Sequence, residues 1–185
     1  AKEYTRSQNA ANWFISHYPL LGGIAASFKI IEDYTLCNKE EIMIAAVSSN
    51  EGEIYVNPAA GLNDEELKFV MAHEFLHAGL MHGVRAKGRD SYLWNVACDY
   101  VINGWLSDMH IGVMPSQGIL YDKELDGMSA EEIYDRIVKD LRRYKKLDTL
   151  RGYGKGDVVD GGLSGISNTS AVSLDEFIAS NQENN

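Results

Sequence analysis

The sequence predicts an α+β domain in which a small, mostly antiparallel sheet packs on two largely buried helices. Three observations lead there. Two short Ile/Val-rich runs and an alternating one, "FKIIEDY", "EIMIAAV" and "EIYVNP", read as strands. Two long apolar runs, "DEELKFVMAHEFLHAGLM" and "SYLWNVACDYVINGWLSDM", read as helices apolar on most faces. A further segment, "SAEEIYDRIVKDLRRYKKL", has a one-sided apolar stripe at Ile133, Ile137, Leu141 and Tyr144.

In chain order, "TRSQNAANWFISHY" predicts an amphipathic helix that stops at Pro19. The "SSNEG" turn joins the second and third strands as a hairpin. The third strand, within "GEIYVNP", is the expected open edge of the sheet. The first buried helix starts near Asp64, with Asn63 and Glu66 as a capping box and Leu62 and Leu67 as a hydrophobic staple. Ser129 and Glu132 form a second capping box. From about residue 151 the chain turns rich in Gly, Ser, Asn and Asp. The expected organisation is therefore one domain over 1–150 and a flexible tail or linker over 151–185, with a short helical candidate at "SLDEFIA".

Composition narrows the classes of function. The chain has 185 residues, 45 % hydrophobic, which is enough for a core. Its formal net charge of -10 disfavours a generic grip on nucleic acid or on an acidic membrane surface. Cys37 and Cys98 make neither a disulfide framework nor a cysteine zinc site. Two thiols, the lack of a signal-peptide core and the lack of a membrane-length apolar run point to a cytoplasmic setting.

The stretch "HEFLHAGLMHGVR" carries the chemistry. On a helix, His73 and His77 stand one turn apart on one face and can offer ring nitrogens to a single ion. Glu74 lies about 100° further round. It can reach a water on the metal without being a ligand. This H-E-x-x-H spacing suits zinc, and its chance occurrence in a chain of this length is about 1 %. Two core histidines would explain His73 and His77 but leave Glu74 as a costly buried carboxylate.

Two residues compete as the third ligand. His82 reaches the ion only if the helix ends at Gly79 and the chain turns back, and its offset of nine from His73 misfits the known pattern. Asp99 is the expected ligand. It belongs to a polar stripe, Asn95, Asp99 and Asn103, in an otherwise apolar helix. If the two helices are antiparallel, Asp99 comes about 12 Å beyond the turn and the histidine pair about 10 Å before it, so their heights match. Asn103, one turn on, is placed to bond the distal nitrogen of a ligating histidine, with Asn95 a weaker candidate for the same shell. The bland reading of the stripe is a buried Asn/Asp hydrogen-bond network.

Weaker signals accompany these. Tyr92, Tyr100, His110 and Tyr121 are interchangeable candidates for stabilising an oxyanion, with packing as their default role. Arg85 could pair with a carboxylate, and the basic "RRYKK" fits a solvated helix face.

The helix "HEFLH" followed by a second acidic helix resembles the gluzincin plan of thermolysin-type proteases. There a helix-borne Glu is the third ligand and an Asp four residues later supports it. Asp99 and Asn103 match those places with a change of residue type. The segments "IYVNPAAGLNDEELKFVMAHEFLHAGLMHGVR", "WNVACDYVIN" and "SAEEIYDRI" resemble more closely a bacterial family of metallopeptidase domains, often followed by a von Willebrand A-like domain. The resemblance covers roughly residues 10–140. It implies a zincin-like fold and zinc-dependent hydrolysis of a peptide or protein substrate, with Glu74 as general base. The alternatives are a non-peptide amide hydrolase on the same scaffold and a metal-binding interaction module without turnover.

Overall fold

A computed structural model describes residues 3–19, 26–48, 51–79, 86–116 and 119–140. It is an α+β arrangement built on one small mixed sheet. Helix α1 (Arg6–His17) begins with a capping box in which Thr5 and Gln8 exchange side-chain-to-backbone bonds. It leads to strand β1 (Lys29–Glu32). Asp33 then ends the strand by accepting from Leu36 N at 3.0 Å, which starts the short helix α2 (Tyr34–Lys39); the expected strand reached Tyr34, and the rest of the helix falls where no element was expected.

Strands β2 (Ala45–Ser48) and β3 (Glu53–Val56) form the predicted antiparallel hairpin, with Ala45 opposite Val56 and Val47 opposite Ile54. The second strand is shorter than "EIMIAAV" suggests. Glu41 has a positive φ, and Asn57 binds Ile42 O through its side chain and Ile44 O through its backbone. That holds residues 41–44 as a turn.

Strand β1 joins the other side of β3 in parallel register, Lys29 beside Glu53, so the order is β1-β3-β2. Two expectations are thereby corrected. The sheet is mixed rather than mostly antiparallel, because α2 carries the chain across before β2 begins. And β3, taken from sequence as the open edge, is the central strand with both edges bonded, so no substrate strand can add there.

Side chains alternate across the sheet. Val47, Ile54 and Val56 face the main core, while Ala46 and Tyr55 pack with Cys37 and Ile42 under α2. Cys37 is fully buried, and burial together with the nearby Asp33 charge pushes its thiol up to about 11. It is a core thiol, as is the buried Cys98.

Helix α3 (Asp64–Gly79) starts with the predicted box: Glu66 N donates to Asn63 Oδ1 at 2.8 Å, and Asn63 N to Glu66 Oε1 at 3.0 Å. From Phe69 to Gly79 every residue is buried. The helix is wrapped by α1, by β2 and by helix α4 (Ser91–Asp108). Ala10 and Ala11 let α1 approach closely, and Phe14 stacks on Phe75 with centroids 5.5 Å apart. Helix α5 (Ala130–Lys139) lays Ile133 and Ile137 on α4. Its expected continuation, with Leu141, Tyr144 and "RRYKK", lies outside the described residues, as do the 151–185 tail and "SLDEFIA".

The chain leaving α4 is tied back to the start of α3. Val113 N donates to Glu65 O at 3.0 Å, and Gly112 sits between them at φ +63°. A Cβ on Gly112 would come within 2.4 Å of Glu65 O and 2.7 Å of Phe69 N, both backbone atoms that cannot step aside. Gly112→Ala is therefore expected to lower stability by about 2 kcal/mol or more, from left-handed strain plus the clash, as read by urea unfolding.

Candidate metal centre

Helices α3 and α4 meet along a polar seam inside an apolar surround. His73 pairs with Asn103 and His77 with Asp99. The partner numbers fall as the histidine numbers rise, so the helices are antiparallel, as the height argument assumes. His73, His77, Asp99 and Asn103 are at most 3 % exposed, and Glu74, one residue round the helix from His73, is fully buried.

The hydrogen bonds orient the donors. Asn103 Nδ2 donates to the Leu120 carbonyl at 3.0 Å. A carbonyl can only accept, so the amide's orientation is set and Oδ1 is turned to His73. His73 Nδ1 donates to that oxygen at 2.7 Å. In the neutral ring the other nitrogen, Nε2, then carries a lone pair. It lies 3.1 Å from Asp99 Oδ1, another lone-pair atom. On the same oxygen, His77 Nε2 lies at 2.6 Å, close enough to share a proton. The two rings meet edge to face with centroids 4.7 Å apart.

This donor set fits a metal ion. The ligand atoms of His73, His77 and Asp99 all lie within 4.8 Å of one another. In a tetrahedral zinc site donors are separated by about 3.3 Å, a value set by bonds of about 2.0–2.1 Å. Two edges of the triangle, 3.1 and 2.6 Å, are already close to that. The facing lone pairs of His73 and Asp99 favour a positive charge between them. The proton shared by His77 and Asp99 is what a cation would displace on binding.

Other candidates fall differently. Asn95 is half-buried one turn earlier on α4, while the bonds that order the triad run through Asp99 and Asn103. His82 and Arg85 lie outside the described residues. His110 is exposed beyond the end of α4 at φ 55°, and the half-exposed Tyr121 packs its ring near Gly104. Sequence reasoning missed the Leu120 carbonyl. A backbone acceptor leaves no residue-type signal, and only the path of the 119–121 segment brings it to Asn103.

The loop ahead of α4 is fixed as well. Asp90 caps the helix by accepting from Leu93 N at 2.9 Å, and its own N–H reaches Tyr134 Oη at 2.9 Å. The Arg89 guanidinium lies 5.1 Å from the Trp94 ring centre and 5.7 Å from that of Tyr134. Helix α5 thus holds the start of the helix that carries Asp99.

The match to a known family covers residues 2–173 and bears the description "Putative metallopeptidase domain". The chain belongs to that family. Neither a curated protein nor a solved structure matches it. Among the described residues, no helix is long and apolar enough to cross a membrane.

If His73, His77 and Asp99 form the centre, Asp99→Ala should weaken zinc binding more than His82→Ala does, in chelator competition. Asn103→Ala, which leaves all three donors, is expected to weaken zinc by about 10–100-fold, the usual effect of removing a support of a ligating histidine.

Proposed function

We propose that this domain is a zinc-dependent metallopeptidase with a zincin-like plan. His73, His77 and Asp99 hold the ion, Asn103 supports His73, and Glu74 is the general base. The observation that carries the reading is the buried meeting of two imidazoles and a carboxylate around one point, beside Glu74 on the same helix. Three protein ligands leave a tetrahedral ion one open position, the arrangement of catalytic rather than structural zinc. When bound, zinc supplies Lewis acidity and lowers the pKa of a coordinated water towards about 7.

The chain's own residues supply the rest. Glu74 accepts the proton of the attacking water and passes it to the leaving amine. Its seat in an apolar helix excludes bulk water and strengthens each electrostatic contact. Asn103 keeps the lone pair on His73 Nε2 by holding the proton on Nδ1. The substrate is a peptide or protein, and a von Willebrand A-like domain is the proposed partner domain.

One observation favours a second reading, a metal-binding module without turnover. All five side chains of the proposed machinery are buried, so a peptide bond cannot reach them without movement. A proteolysis screen with and without chelator, alongside metal analysis, separates the two. The peptidase reading expects about one zinc per chain and chelator-sensitive cleavage. Less than about 0.2 zinc per chain after loading, far below the single site that the motif implies, would refute the metal centre itself. Glu74→Gln is expected to retain zinc and to lose at least about 100-fold in hydrolysis, as removal of a general base requires. Loss of metal in that variant would instead make Glu74 a ligand.

A further inference from the structure

The segment Ile119–Tyr121 crosses the seam in which the candidate centre lies. Ile119 packs with Ile44, Ala45 and Val70, on the side of β2 and α3. One residue on, Leu120 packs with Val96, Ala97, Ile133 and Ile137, on the side of α4 and α5. Between those two footholds its carbonyl accepts from Asn103, whose other amide atom accepts from His73. Tyr121 then lays its ring against the bare backbone at Gly104, where an added Cβ would lie 4.0 Å from Tyr121 Cε2. The polar tie between this crossing and α4 runs through a side chain that itself touches a proposed ligand.

We propose that Ile119–Tyr121 is a strap whose docking is thermodynamically coupled to ion binding, with Asn103 as the positioning residue between them. The coupling has a physical cause. An ion on His73 Nε2 keeps the ring neutral with its proton on Nδ1. That proton holds Asn103 Oδ1, so the amide's N–H stays aimed at Leu120. With the strap away, the Asn103 amide is free to turn, and His73 loses the partner that selects its metal-binding tautomer. Coupling of this kind is reciprocal: what the ion does for the strap, the strap does for the ion. Undocking would then weaken the site's hold on metal.

This inference rests on the metal-site part of the proposed function and not on turnover, and its test reads no activity. Hydrogen exchange of the full chain is measured with and without zinc, after zinc binding is quantified by chelator competition. In the wild type, zinc should slow exchange over residues 119–122 by about 10-fold, a typical allosteric coupling. Asn103→Asp keeps an acceptor for His73 but loses the donor to Leu120. It should bind zinc and give no zinc-dependent protection of the strap. Leu120→Gly should weaken zinc by about 10-fold, whereas Leu125→Ala, in the adjacent turn of the same apolar cluster, should leave zinc affinity within about 2-fold at comparable loss of stability. Protection confined to α3 and α4, or equal zinc affinity in Leu120→Gly and wild type, overturns the strap while sparing the metal centre. A wild-type chain that binds no zinc overturns both, and the preceding titration shows which has failed.

Discussion

Two imidazoles and two carboxylates lie inside a helix pair that water does not reach, and the rest of the structure answers to that constraint. Burying an uncompensated carboxylate costs several kcal/mol, so such groups need partners, protons or a cation. Here Asp99 is shared between His73 and His77, and His73 is in turn held by Asn103. The network converges on one oxygen, Asp99 Oδ1. That convergence is what a metal ion would use, and it also explains why a carboxylate at this position is tolerated in a helix whose neighbours are apolar.

From Phe69 onward α3 is buried, and its neighbours keep this seam closed. Helix α1 covers one flank through Ala10, Ala11 and Phe14, the sheet covers another through Val47, Ile54 and Val56, and α4 supplies the partners. The approach of α4 is set at both ends. Asp90 and Arg89 fasten its start to Tyr134 and Trp94, and the Gly112 contact fastens the chain beyond its end to the first turn of α3. The one-turn spacing of Asp99 and Asn103 then meets the one-turn spacing of His77 and His73. A shift of α4 by one residue would turn both side chains out of the seam.

The same burial that organises the donors opposes catalysis on a large substrate. A peptidase must admit a peptide bond to Glu74 and to the open metal position, yet the described geometry admits neither. In the proposed coupling the moving part is the segment at Leu120, tied to α4 through Asn103. Among the described residues its polar tie to α4 is the hydrogen bond from Asn103, worth about 1 kcal/mol net. Such a contact lies at the low end of local opening energies, where moving parts of enzymes are drawn from.

Local rules made much of this legible in the sequence. The capping boxes at Asn63–Glu66 and Ser129–Glu132 place two helix starts, because a cap needs only neighbours three residues apart. The i, i+4 spacing of His73 and His77 puts both rings on one helix face, and the spacing of Asp99 and Asn103 does the same on the next helix. Tertiary structure alone decided what depends on distant segments. It placed β3 at the centre of the sheet, because β3 pairs in parallel with β1, which lies before α2 in the chain, and strand neighbours are chosen by packing rather than by local pattern. It converted matched heights into 2.6 and 3.1 Å contacts on one oxygen, which requires two helices to meet at a particular rotation. And it brought the Leu120 carbonyl to Asn103, a backbone group that every residue type carries and that only the path of the chain can aim.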